Sequence, residues 1–164
     1  MKTELIIALF ENDESGAGRV LEKVREYHKE GLLRIHNVAT LVMPQEGEAV
    51  VNDVNDVDKK QGTRFGAVTG GIIGLLGGPV GVIIGAAAGA ATGRVTANLA
   101  DYGVPDKLLE QVKSKMQPGS SAIILYAEMK WADKAVRTLE ENGAKVYHDT
   151  IEGDLPLPGS PNVA

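Results

Sequence analysis

Three histidines are the natural starting point for chemistry, because imidazole is an acid–base group near neutral pH and the commonest metal ligand. His28, His36 and His148 are scattered along the chain. His36 and His148 occupy similar places in two similar stretches of sequence, and a fold that pairs those stretches would bring them together. Histidines on strands are usually surface or half-buried residues, however, and no Ser–His–Asp set or carboxylate pair has a catalytic spacing. We expect no catalytic residue, no cofactor and no metal site.

Two short motifs suggest ligands, but their spacing does not support them. In SGAGRV, Gly16 and Gly18 match the first two glycines of a dinucleotide fingerprint, whereas Leu21 occupies the third position. NDVNDVD, residues 52–58, lacks the mid-loop glycine and terminal glutamate of a calcium-binding EF-hand loop. We interpret the first motif as a turn before a helix and the second as a solvated linker.

Composition excludes several classes of protein. The net charge of -5 and the 4% of aromatic residues argue against binding to nucleic acid, which needs a cationic face or stacking platforms. The chain has no cysteine, so it forms no disulfide, iron–sulfur cluster or thiolate zinc site. The apolar run in MKTELIIALFENDE is short for a signal peptide, and we expect cytoplasmic synthesis without secretion.

Hydrophobic periodicity predicts two similar strand–helix–strand units. The first comprises ELIIALF, a strand buried on both faces, then the amphipathic helix AGRVLEKVREYHKEG, which Gly31 ends, and the strand LLRIHNVATLVM. The second comprises the strand SSAIILYAEM, the helix WADKAVRTLEENG and the strand AKVYHDTI. Between the units, EAVVNDV is expected to pair back as a hairpin strand, and an extra helix begins near Pro105.

Two interleaved units of this kind predict an α+β fold, a ferredoxin-like βαββαβ sandwich. It has four antiparallel strands, with the two most apolar strands in the centre and two helices on one face. The sandwich would be discontinuous, comprising residues 1–58 and 104–152. Residues 63–98 would be an inserted helical hairpin, and residues 153–164 an extended C-terminal tail.

The predicted hairpin contains GAVTGGIIGLLGGPVGVIIGAAAGAATG, residues 66–93, which carries no charge and half of the 20 glycines. A four-residue spacing keeps each of two sets of glycines on one stripe of a helix, a glycine zipper that another helix can approach closely. Gly77, Gly78 and Pro79 predict a bend between the two helices. The helix-packing residues are Gly66, Gly70, Gly74 and Gly78 on the first helix and Gly81, Gly85, Gly89 and Gly93 on the second.

Each of these glycines costs roughly 1 kcal/mol relative to alanine in an isolated helix, so close packing has to offset the loss. The branched residues on the other faces need an apolar partner, which is lipid, another copy of the protein or the sandwich itself. Each helix would be about 20 Å long, short of the roughly 30 Å hydrocarbon core of a bilayer. The segment is therefore not a clean transmembrane signal.

The glycine-rich run, followed by LADYGVPDKLLEQVKSKMQPGSSAIILYAE, resembles the bacterial and archaeal "domain of unknown function 1269" family. The likeness extends from about Leu5 to Ile151. Members of that family are described as predicted membrane proteins, and the resemblance implies no established activity and no catalytic residue.

The first functional hypothesis is a non-enzymatic homo-oligomer that is associated with the cytoplasmic side of a membrane, with a structural or stress-related role. Its partners would be other copies of itself and a lipid bilayer. The alternative is a soluble cytoplasmic assembly that forms a closed particle, tube or filament. A third hypothesis is a small-ligand-binding or enzymatic site in the sandwich cleft. Trp131 is either an interfacial anchor or a residue that packs on the sheet.

Overall fold

The computed structural model describes residues 3–46, 49–56, 72, 76, 82–84 and 104–151 of the 164-residue chain. Within these residues the chain forms six strands and three helices, and Ile72 and Leu76 also have helical backbone. In chain order the elements are β1 (Thr3–Phe10), α1 (Gly16–Lys29), β2 (Ile35–Met43), β3 (Ala49–Asp56), β4 (Val82–Ile84), α2 (Asp106–Lys115), β5 (Ser120–Glu128), α3 (Met129–Glu141) and β6 (Lys145–Ile151).

Strand β1 lies in the interior of the fold. All eight of its residues are buried, which confirms the prediction of a strand covered on both faces. Successive side chains of a strand point to opposite faces, so β1 contributes to two separate cores. Ile6 and Ala8 belong to one core, whereas Leu5 and Ile7 belong to the other.

The strands form one sheet in the order β4-β3-β2-β5-β1-β6. Five of them, β1, β2, β3, β5 and β6, are joined by antiparallel pairing, and the three-residue β4 is added parallel to β3. Strands β1 and β5, the two most apolar, are neighbours inside the sheet, as predicted. The fold is therefore of the mixed α/β class, with a largely antiparallel sheet and three helices in the described part of the chain.

One face of the sheet, here called the α1/α3 face, is covered by these two helices. Val20 and Leu21 of α1 and Leu139 of α3 pack against side chains of β1, β2 and β5. Gly31 and Gly143 follow the two helices with φ of 70° and 92°, a left-handed conformation that favours glycine and stops a helix. The predicted helix ends at these glycines are confirmed.

The opposite face, here called the α2 face, is covered by α2 and by residues of the glycine-rich run 66–93, here called the glycine segment. Leu108 and Val112 of α2 lie in one core cluster with side chains of β1 and β5. Ile72 and Leu76 belong to the same cluster and are 0% and 3% exposed. The extra helix was predicted, with Pro105 immediately before its first residue, but its position on the second face was not.

Two predictions of local structure need correction. Residues 82–84 were expected in the second glycine helix, but Val82, Ile83 and Ile84 form β4. Three consecutive β-branched residues favour a strand, and β3 offers them backbone partners from Ala49 to Val51. Residues 52–56 are part of β3 rather than a linker, because the predicted hairpin strand extends to Asp56.

Among the described residues, no helix is long and apolar enough to span a bilayer.

Candidate functional site

The glycine segment is the strongest functional candidate in the sequence, and its described residues contact the sheet. Ile72 and Leu76 are four residues apart and helical, a spacing that places both side chains on one face of a helix. Both side chains are buried in the core of the α2 face. Of the three apolar partners considered for the branched residues, the described structure shows these two packed against the chain's own sheet.

A second contact between the glycine segment and the sheet is the backbone pairing of β4. Val82, Ile83 and Ile84 pair in parallel with Ala49, Val50 and Val51. Parallel strands need a crossover connection of a dozen or more residues. The 25 residues between Asp56 and Val82 are enough for such a connection. The described part of the segment thus contributes side chains to the α2 face and backbone to the edge of the sheet.

The predicted helix-packing glycines all lie outside the described residues. They are Gly66, Gly70, Gly74, Gly78, Gly81, Gly85, Gly89 and Gly93. The predicted bend at Gly77, Gly78 and Pro79 lies outside them too, as do residues 153–164 of the tail.

The structure also contains a polar cluster that the sequence did not reveal. The Glu4 side chain, only 7% exposed, lies within 2.6 Å of His148 Nδ1 and accepts a hydrogen bond from Thr150 Oγ1 at 3.0 Å. The β1–β6 register brings these residues together, since Glu4 is opposite Thr150 and beside His148. A buried carboxylate requires such partners. The sequence signal was a glutamate directly before the apolar residues of β1, but its partners are 144 and 146 residues away.

This cluster can orient the His148 ring, because a carboxylate bound to one ring nitrogen fixes the direction of the other. It does not include His36. That residue lies on β2, and β5 and β1 lie between β2 and β6. The two histidines are therefore three strand spacings apart, a total of roughly 14 Å. The idea that matched sequence places bring them together was wrong. Within the described ranges no group of three or more metal-ligating side chains occurs.

The turn before α1, where a dinucleotide fingerprint was considered, is filled by the chain's own groups. The Ser121 hydroxyl donates to the Asp13 carbonyl at 2.6 Å and accepts from the Ala17 N–H at 3.0 Å. The Gly16 N–H donates to the same carbonyl at 3.3 Å. These contacts satisfy two amides at the helix start, which supports the interpretation as a structural turn.

An ion pair closes the same turn. The Arg19 guanidinium donates to Asp13 Oδ2 at 2.8 Å and thereby lowers the pKa of the Asp13 carboxyl from its usual value of 3.8. The Ser15 and Gly16 N–H groups lower it further. Since the Asp13 side chain is 36% exposed, water screens much of this attraction.

Trp131 packs against the core of the α1/α3 face and is half-buried. The Lys130 and Lys134 ammonium groups each lie 5.8 Å from its ring centroid, within range of cation–π attraction. Of the two interpretations of this residue, its surroundings favour packing on the sheet.

The sequence matches a protein family described as "Protein of unknown function (DUF1269)" over residues 64–155, more than half of the chain. The matched stretch begins two residues before the glycine segment and includes α2, β5, α3 and β6, whereas β1, α1, β2 and β3 precede it. No curated protein and no solved structure matches the chain. On the strength of the family match, the chain belongs to the DUF1269 family.

Proposed function

We propose that this protein is a non-enzymatic homo-oligomer, in which the first glycine stripe of one copy packs against the same stripe of another. The observation that carries the proposal is the burial of Ile72 and Leu76 in the sheet of their own chain. These two side chains fix which side of their helix faces inward. In the proposed arrangement, the glycine stripe lies on the outward side of this helix.

The phase of the sequence supports this arrangement. On a helix of 3.6 residues per turn, positions two residues from Ile72 and Leu76 lie about 200° around the axis. Gly70 and Gly74 have this phase, opposite the two buried side chains. Positions near the phase of Ile72 carry the larger apolar residues Val68, Leu75 and Leu76.

A surface made of glycine suits another helix better than lipid. Without side chains the backbones approach closely, and many small contacts add up along the stripe. Lipid-facing positions of membrane helices instead carry large apolar side chains such as leucine and isoleucine, and on the first helix Ile72, Leu75 and Leu76 have the inward phase. Only the first stripe is expected to form this contact, because β4 interrupts the second predicted helix.

For the fold itself, we propose a ferredoxin-like sandwich with the glycine segment inserted between β3 and α2. The order β6-β1-β5-β2 places the first strand of each strand–helix–strand unit in the middle. Helices α1 and α3 lie on one face, as in two interleaved units. The second face would carry the insertion and α2.

The test is the mass of the particle in detergent-free buffer, measured by sedimentation velocity. The double variant Gly70→Leu/Gly74→Leu raises helix propensity but fills the stripe, and we expect the assembly to dissociate into smaller species. Gly18→Leu is the matched control, because Gly18 lies in α1 with open space where a Cβ would project. If the double variant retains the particle mass of the wild type, the stripe is not the contact between copies.

Membrane association is the second candidate, favoured by the uncharged span of residues 65–93 between two arginines. Lysate fractionation without detergent separates the candidates. A protein that sediments only with lipid vesicles would favour the membrane, whereas a large species that remains in the supernatant would favour the soluble assembly.

A further inference from the structure

The two edges of the sheet differ in a way that points to an interaction surface. Strand β4 is three residues long, and short edge strands discourage pairing with other chains. Strand β6 is seven residues long and pairs with β1 in an unbroken register from Lys145 to Ile151. In the described part of the chain, β1 is the only strand beside β6.

Strand β6 also lacks two of the features that protect an edge, a proline and a bulge. It contains no proline and its register with β1 has no bulge, although prolines and bulges are common means of blocking edge-to-edge pairing. Its residues are exposed or half-buried from Lys145 to Thr150. A regular edge of this length can accept a further strand.

The charges on β6 select another copy of β6 as that strand. Lys145 and Asp149 are both exposed and lie two residues on either side of Tyr147. In an antiparallel pair centred on Tyr147, Lys145 of each copy is opposite Asp149 of the other, which gives two attractive pairs. Centring the pair on Lys145 or on Asp149 would instead place like charges opposite each other.

We infer that two copies of this chain associate through antiparallel pairing of their β6 strands around a two-fold axis at Tyr147, which joins the two sheets into one. Isologous two-fold contacts of this kind are the commonest in oligomers. Tyr147 packs on the α2 face, so the two tyrosines meet on that face. His148 is opposite Val146 of the other copy on the α1/α3 face. This interface is distinct from the glycine stripe, and either can exist without the other.

Cysteine cross-linking tests the geometry directly. Because the chain has no cysteine, a single introduced thiol forms a disulfide only between copies. In the Tyr147→Cys variant the two Cα atoms would be about 4.5–5.5 Å apart, within disulfide range, and we expect most of the protein to become a covalent dimer on mild oxidation. Lys145→Cys is the control, since its two thiols would be roughly 13 Å apart along the strands. Equal cross-linking of both variants, or none of Tyr147→Cys, overturns the inference.

Charge reversal provides a second test that leaves the tyrosine in place. Lys145→Glu or Asp149→Lys alone places like charges across the edge twice, and we expect the dimer dissociation constant to rise roughly tenfold in each. Mixing the two variants restores both attractive pairs, so the mixture associates as tightly as the wild type. Lys113→Glu, an exposed change on α2, is the matched control and leaves association unchanged. If the mixture associates no more tightly than either variant alone, the proposed register is wrong.

The glycine contact and the β6 contact between copies can be tested independently of each other. The Gly70→Leu/Gly74→Leu variant, which breaks the glycine contact, should retain the Tyr147→Cys cross-link. Loss of the cross-link in that background, with the far-ultraviolet circular dichroism spectrum unchanged, would contradict an independent β6 interface.

Discussion

Both faces of the sheet carry a buried core, but they are covered in different ways. On the α1/α3 face, two amphipathic helices supply the core, and each belongs to a strand–helix–strand unit. On the α2 face, the core is supplied by one helix, α2, together with Ile72 and Leu76 of the glycine segment. A glycine-rich run with high hydropathy therefore need not face lipid, because its branched side chains can pack against the chain's own sheet.

The largest effects are expected from two substitutions on one strand, β5, which compare the cores of the two faces. Ile123 and Ile124 are adjacent on β5, both 0% exposed, and they point to the α1/α3 face and the α2 face respectively. Replacing either with alanine should lower the free energy of unfolding by about 2–5 kcal/mol, because each deletion leaves a cavity. Urea denaturation measures both losses. A loss below about 1 kcal/mol for Ile124→Ala alone would show that the α2 face is loosely covered.

The next prediction concerns the glycine segment's contribution to the α2 face. Ile72→Ala removes a side chain that is 0% exposed and should lower the free energy of unfolding by about 2–3 kcal/mol. Ile73→Ala is the matched control, since position 73 has a phase about 100° away on a helix, and it should cost less. Chemical denaturation of the two variants at equal protein concentration makes the comparison. Equal losses would contradict a single inward side.

Two adjacent serines give a smaller contrast. Ser121, on the α1/α3 face, makes two hydrogen bonds, and Ser121→Ala should cost about 1–3 kcal/mol because Asp13 and Ala17 lose their partner. Ser120, on the other side of β5, is 1% exposed, and its hydroxyl has no hydrogen-bond partner within the described residues. Ser120→Ala should therefore leave the thermal midpoint unchanged or raise it slightly. A large loss at Ser120 would mean that its hydroxyl is bonded in solution.

The smallest expected effect on stability concerns pH and the turn before α1. The pKa of Asp13 is lower in the folded chain than its usual value of 3.8, so the ion pair with Arg19 stabilises the fold above that value. The contribution is lost as pH falls through the folded-state pKa. Asp13→Asn should cost about 0.2–1 kcal/mol at pH 7 and progressively less in acid. Urea midpoints of the wild type and Asp13→Asn, measured from pH 7 down to below pH 3.8, test this prediction. A difference in midpoint that stays constant with pH would exclude the ion pair as the cause.

Local sequence predicted much of the fold. The apolar run of β1, the amphipathic pattern of α1 and the glycines at positions 31 and 143 identified the elements and their ends, because these signals lie within a few residues of each other. The helix predicted across residues 82–84 was wrong, since the backbone of β3 was the competing partner and lies some 30 residues earlier. The ferredoxin-like arrangement and the glycine contacts stay proposals.

The polar cluster of Glu4, His148 and Thr150 shows why part of a candidate site escapes sequence analysis. Nothing near Glu4 in the chain indicates its partners, and the pairing follows from the register of β1 with β6. The same register determines that β6 is a regular edge strand, on which the inferred contact between copies depends.

Sequence patterns alone identified the helices and strands of the two repeated units, the absence of thiol chemistry and the membership in a family of unknown function. These follow from periodicity, composition and continuous motifs, which are local properties. Three features became visible only in the folded chain: Ile72 and Leu76 cover the α2 face, His36 and His148 lie apart, and β6 is at the edge of the sheet. Each of these depends on strand order and on pairing between distant residues, for which the free energy comes from the assembled core rather than from any one segment.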